Sequence, residues 1–282
     1  MSYGMFAMAA RNAVNAIELA LTPVADEIPK QRRALRERDH RPWPLPERPW
    51  LMGQTWNDLL FAHWRVDRAS LEALIPAPVV LDLYEGDAWL GVTPFFLSGA
   101  RGRGTPPLPW LSRFPELNVR TYVEYAGRPG IYFFSLDASR RVAVAAARRG
   151  YRLPYFHADM SAEHNGGRVS YHSRRIDPNG PAADFRAAYS AAGPRLAIEH
   201  GSLERWLTER YCVYVVAEDG AVLRGDIHHR PWPLQPAAAE IEVNTMARPL
   251  GLTLPGPPLL HYSARQDTLI WSLARLVGRD SA

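Results

Sequence analysis

With 282 residues, 47% of them hydrophobic and 22% charged, the chain has the composition of a folded globular protein and room for one large β-rich domain without a second core. Its 33 basic residues exceed the 29 acidic ones for a net charge of +4, but the two signs are interleaved along the sequence, which argues against a nucleic-acid-binding stripe and leaves no nucleic acid among the expected partners. Lys30 is the only lysine, which excludes Schiff-base, pyridoxal-phosphate and P-loop chemistry from the core, and the single cysteine, Cys212 in the apolar run YCVYVV, excludes an intrachain disulfide and makes a reducing cytoplasm the default location.

From Met1 to Leu21, the residues Phe6, Ala9, Ala13, Ile17 and Leu21 recur at helical spacing and predict an amphipathic helix. Arg11 and Glu18 interrupt its apolar run, so neither a secretory signal nor a transmembrane segment is expected. Residues 1–40 read as an N-terminal helical extension, with Lys30 in a charged stretch away from any core pattern. Residues 41–49 read as a stiff proline-rich linker, 50–276 as a single β-barrel-like domain, and 277–282 as a tail.

Within the domain, Asp67 is placed to cap a short helix, DRASLEALI, that Pro76 ends. The run VVLDLYEGDAWLGVTPFFL predicts a hairpin around Glu85-Gly86-Asp87. Phe114 to Val123 and Ile131 to Leu136 read as strands, Arg140 to Gly150 as an Ala-rich helix, and Tyr155 to Ile176 as a long hairpin. A two-residue turn at Asn165-Gly166 would set Glu163 opposite Arg168 and Asp159 opposite His172. Ala182 to Ala192 and Ser202 to Arg210 are expected as helices, and Tyr211 to Ala217, Ile241 to Thr245 and His261 to Leu273 as strands; no internal repeat is present.

The chemistry concentrates between Phe114 and Phe156. Glu116, Asn118, Arg120 and Tyr122 fall at strand spacing and form one polar row, with Leu117, Val119, Thr121 and Val123 on the opposite face. Such a row is either the wet face of an amphipathic strand or, in a closed barrel, the wall of a ligand pocket. Arg148, Tyr151 and Tyr155 follow in an Arg-x-x-Tyr-x-x-Pro-Tyr run; the tyrosines serve equally as aromatic packing. His63 sits among apolar neighbours in LLFAHWRV, a setting shared by core histidines and catalytic bases. His157, Asp159 and His172 could meet across the hairpin as a metal site, although no HxxEH or CxxC spacing supports one, and neither a metal nor a cofactor is expected. His228 and His229 are adjacent and would point apart in a strand. The sequence carries no GxGxxG or GxSxG element.

Five motifs together resemble one family: FAHW at 61–64, FPELNVRTYV at 114–123, ARRGYRLPYF at 147–156, SLERWLTERY at 202–211 and HHRPWPL at 228–234. From about Arg48 to Leu273 the chain resembles the bacterial family labelled domain of unknown function 2071, whose fold is related to acetoacetate decarboxylase. The resemblance implies an α+β fold, mostly antiparallel β: an acetoacetate decarboxylase-like barrel or cone with a few flanking helices and a polar interior. Acetoacetate decarboxylase uses a lysine pair after a Gly-aromatic-Pro element. The similar run here, Arg148 to Phe156, has Tyr155 and Phe156 at that place, so a lysine Schiff base is excluded.

Two functional readings follow. In one, the protein is a lysine-independent lyase- or hydrolase-type enzyme on a small keto or carboxylic acid, with Glu116 resembling the relative's acidic residue. Arg120 and Arg148 would bind the anion, with Asn118, Tyr122 and Tyr151 as further ligand contacts, His63 as acid or base and Tyr155 as proton donor. In the other, the barrel is a noncatalytic small-ligand-binding or structural module. A third makes the N-terminal helix a partner-binding element, which places a homo-oligomer among the expected assemblies.

Overall fold

The computed structural model describes residues 24–107 and 112–276, so the helix expected over Met1 to Leu21 and the tail 277–282 lie outside the described residues. The first element, α1 (Val24–Ala34), packs on the strands. Glu27 and Gln31, four apart and therefore on one helical face, are buried: the Glu27 carboxylate accepts from Ser98 at 2.7 Å, and Gln31 bonds Thr55, Gly99 and Arg101. Gly53 and Gly99 make the space for this, since a Cβ at either would lie 2.4 Å or less from Gln31 or Glu27. The sequence set this stretch apart from the core, yet among its described side chains Glu27, Gln31 and Ala34 are buried while Lys30 points to solvent. The Pro-rich segment is also held, by Arg41 on the Ile227 carbonyl and Arg48 on Asp226.

The strands are β1 (Met52–Val66), β2 (Val80–Leu81), β3 (Ala88–Gly102), β4 (Phe114–Tyr125), β5 (Arg128–Ala138), β6 (Tyr155–Asn165), β7 (Arg168–Arg175), β8 (Asp184–Ala191), β9 (Cys212–Val216), β10 (Val222–His229), β11 (Gln235–Asn244) and β12 (Leu259–Arg275). Three short helices separate them: α2 (Arg68–Glu72), α3 (Arg141–Tyr151) and α4 (Leu203–Thr208). Asp67 caps α2 by accepting from the Ser70 amide at 2.8 Å, and Ser202 caps α4. The fold is α+β and dominated by antiparallel strands; β5 pairs in parallel with β6 and β9. None of the described helices is long and apolar enough to cross a membrane.

Pairing of β10 with β12 closes the ring β12–β1–β3–β4–β5–β9–β10 into a barrel, and the strands β6–β7–β8–β11 form an outer wall running from β5 back to β12. Strand alternation then sorts the side chains. Leu60, Ala62 and Trp64 of β1 and Leu117 and Val119 of β4 face outward and pack with Val169, Tyr171, Phe185 and Tyr189 of the wall into the main core. The residues that alternate with them along each strand face the barrel interior.

Three local expectations are corrected. Ala182 to Ala192 forms strand β8, not a helix: Phe185, Ala187 and Tyr189 are buried with period 2, and pairing with β7 and β11 overrides alanine's helical preference. The long hairpin turns on Gly166-Gly167, both at positive φ (58° and 84°), so Asn165 pairs with Arg168, Glu163 with Ser170 and Asp159 with Arg174. This two-residue shift keeps every side chain on its face while exchanging partners. The run at Glu85-Gly86-Asp87 turns, with Tyr84 bridging Asp87, but the short β2 pairs with β4 and not with β3.

Candidate functional site

The barrel encloses a cavity of about 350 Å³ to which all seven ring strands contribute. Its polar face is the β4 row. Glu116, Asn118 and Arg120 line the cavity and are respectively 5%, 6% and 6% exposed, so the row predicted from strand alternation is enclosed and not a wet face. The apolar walls come from Trp56, Phe95, Phe133 and Trp232, and α3 lies across the opening, presenting Ala143, Ala147 and Tyr151 inward while Val142 stays exposed at the rim.

Arg120 is the electrostatic anomaly. Two other arginines in the wall are as deeply buried: Arg210 pairs with Asp82 at 2.5 Å, and Arg101, which also has no ion pair among the described residues, donates through its Nε to the Gln31 amide oxygen. Arg120 forms no ion pair among the described residues, and its Nε has no hydrogen-bond acceptor there; its guanidinium lies 5.1 Å from the centre of the Phe61 ring and 5.9 Å from that of Tyr122. Ring contacts recover part of the lost solvation of a buried cation but do not replace an anion.

Glu116 does not neutralise it. Burial pushes the Glu116 carboxyl up to about 8, so the group is mostly protonated at neutral pH. Tyr155, itself raised well above the usual tyrosine range by burial, donates to Glu116 Oε2 at 3.2 Å. Tyr151 also lines the cavity, with its hydroxyl unpartnered among the described residues.

The remaining expected site residues are placed elsewhere. His63 faces the interior but does not reach the cavity wall: it is fully buried beside Gly91 and Arg120, its Nε2 shares a 2.6 Å hydrogen bond with the Tyr122 hydroxyl, and burial, then Arg120 and His261, hold it well below the usual histidine range. It is therefore a neutral support behind Arg120. Tyr122 belongs to the same floor, its ring 4.6 Å from that of Trp206 at a tilt of 49°, and lies outside the wall. Arg148 is turned away from the cavity, because α3 projects it outward onto Asp177 (2.7 Å) and the Tyr155 carbonyl. Of the hairpin residues, Asp159 is engaged by Arg174, and no three metal-ligating side chains converge among the described residues.

Sequence reasoning missed Trp56, Arg210, His229 and Trp232. The last three lie in SLERWLTERY and HHRPWPL, motifs that marked the fold, but nothing in their spacing shows that they meet β4. His229 and His228 do point apart: His229 lines the cavity with both ring nitrogens near carbonyls, and His228 bonds the Ala34 carbonyl at the end of α1.

Residues 53–267 match the family model DUF2071, an uncharacterized conserved protein. The uncharacterized protein YqjF of Bacillus subtilis is 50% identical over 232 residues, covering 82% of this chain and 95% of that protein. Among solved structures, acetoacetate decarboxylase from Legionella pneumophila aligns with a TM-score of 0.59 at 14% identity over 85% of this chain and 93% of its own. An acetoacetate decarboxylase-like enzyme from Sphingomonas wittichii aligns at 0.54 and 14% over 84% and 97%, and the enduracididine biosynthesis enzyme MppR complexed with pyruvate at 0.57 and 10% over 86% and 95%. The chain belongs to the DUF2071 family and has an acetoacetate decarboxylase-like fold.

Proposed function

We propose that this DUF2071 protein binds a carboxylic acid inside its barrel and acts on it without a lysine, with Arg120 as the carboxylate anchor. One observation carries the reading: a cation buried to 6% exposure that faces a cavity and has no ion pair among the described residues. A buried charge left in that state is costly to the fold and is compensated when a ligand supplies the anion. Arg presents donors in a planar fork that match a carboxylate, and Asn118 lies two residues away on the same face to add a hydrogen bond. The structural relative complexed with pyruvate supports an organic acid as the kind of guest this fold admits.

Glu116 is the proton-transfer group of the proposal. It is protonated at neutral pH, faces the cavity and is oriented by Tyr155, so it can donate to an oxygen or carbon that gains charge and take the proton back. His63 acts through Arg120 and Tyr122 and is a positioning residue. A noncatalytic binding role is the second reading, favoured by the absence of His63 from the wall, which leaves few titrating groups at the ligand.

Calorimetric titration of a panel of keto and carboxylic acids, with turnover followed by proton NMR, tests both. Arg120→Gln should weaken binding by roughly 10- to 100-fold, the worth of a charge-assisted bond. Glu116→Gln should retain binding and lose turnover. Binding that survives Arg120→Gln unchanged overturns the anchor; binding without turnover of any acid favours the second reading.

A further inference from the structure

Strand alternation gives β9 and β10 a second face. Val213 and Ile227 line the cavity, so Arg224 and Asp226 of β10 project from the other side of the sheet, where they meet Arg128 at the start of β5 and Arg48 of the Pro-rich segment. Three arginines converge there on one carboxylate. Arg48 Nη2 reaches Asp226 Oδ2 at 2.9 Å, and Arg128 Nη2 and Arg224 Nε reach Oδ1 at 2.8 and 3.2 Å. No other acidic residue pairs with any of the three among the described residues; Asp219, near the same end of β10, is taken by Arg275.

One carboxylate neutralises one guanidinium, which leaves two positive charges gathered around a single side chain. Asp226 is fully buried, whereas 34%, 13% and 22% of the Arg48, Arg128 and Arg224 side chains stay exposed. The three Nε atoms are the sealed part. Nη1 of Arg48, Nη1 of Arg128 and both Nη atoms of Arg224 have no acceptor among the described residues and remain open to solvent. Arg41 of the same segment adds to the field: burial first, and the Arg128 charge with it, bring its guanidinium down to about 10.

We propose that this cluster binds a phosphate-class oxyanion, as the free ion or as a phosphomonoester. Guanidiniums presented from three separate elements suit an acceptor with oxygens on several sides, and a phosphate near neutral pH carries close to the two negative charges that balance the cluster. The bound ion would tie Arg48 of the Pro-rich segment to β5 and β10 and so strengthen the attachment of that segment. The site shares no residue with the cavity and stands independently of the acid-binding reading.

Isothermal titration and thermal melting of the full chain with inorganic phosphate and with glycerol 3-phosphate, each against chloride at equal ionic strength, test the assignment. Phosphate should bind and raise Tm where chloride does not. Tighter binding of glycerol 3-phosphate assigns the site to a phosphomonoester, and equal or weaker binding assigns it to the free ion. Arg224→Gln, which leaves Asp226 two partners, should weaken binding by roughly tenfold or more, and Arg224→Lys, which keeps the charge without the fork, should weaken it less. Arg120→Gln, inside the barrel, should leave it unchanged. Phosphates that act no differently from chloride overturn the site, as does binding that survives Arg224→Gln or is lost in Arg120→Gln instead.

Discussion

Glu116→Gln should flatten part of the pH dependence of stability. The folded chain holds the Glu116 proton up to pH about 8, while the unfolded chain releases it near the ordinary value of 4.5. The native pKa is the raised one, so the stabilisation is fully present below pH 4.5 and is lost as pH climbs through 8. The shift from 4.5 to about 8 is 3.5 units, which at about 1.4 kcal/mol per unit gives an upper bound near 5 kcal/mol. About 4 kcal/mol of that should appear between pH 5 and 9. Glutamine keeps the shape and cannot ionise. Urea unfolding of both proteins at several pH values in that range should show wild type losing stability relative to Glu116→Gln by up to that amount, with the curves parallel above pH 8. Tyr155→Phe removes a hydrogen bond that favours the carboxylate and should move the falling limb to higher pH. A wild type that stays parallel to Glu116→Gln within about 1 kcal/mol from pH 5 to 9 would refute the buried protonated carboxyl and with it the proposed acid.

Two further perturbations probe the frame around the site. Gly99 has φ +59°, and a Cβ there would sit 2.0 Å from Glu27 Oε2, so Gly99→Ala should cost about 2 kcal/mol and loosen α1, seen as a lowered Tm and faster proteolysis between Val24 and Ala34; unchanged melting and cleavage would show that α1 contributes nothing to the barrel. Arg175→Ala strands Asp137, fully buried and joined to Arg175 at 2.8 Å, and should cost about 3–5 kcal/mol at pH 8. Burial already pushes the Asp137 carboxyl up to about 6, so protonation should make the loss smaller at pH 5, and a loss independent of pH would count against an uncompensated charge as its cause.

The inventory of residues determined which side chains a site in this chain can draw on: Lys30 is its one lysine, Cys212 its one cysteine, and it has no GxGxxG element. Local pattern determined β4, whose polar and apolar residues alternate, and the helix starts at Asp67 and Ser202, whose side chains bond amides within three residues. It failed at β8, where alanines suit a helix as well as a strand and only pairing with β7 and β11 decides. It failed at the hairpin register too, where three successive residues, Asn165, Gly166 and Gly167, could each join the turn.

Whether the β4 row meets water or a ligand is a property of closure, and closure depends on β10 meeting β12 and on β5 meeting both β4 and β9, contacts that sequence spacing does not encode. The same closure brings Trp56, Arg210 and Trp232 to a wall they share with Glu116 and Arg120. It turns Arg148 outward onto Asp177 and leaves Arg120 without a carboxylate partner among the described residues. Charge type is written in the residue; its solvation and its partner are set by what the remote chain encloses, and that difference separates a surface arginine from an anion site.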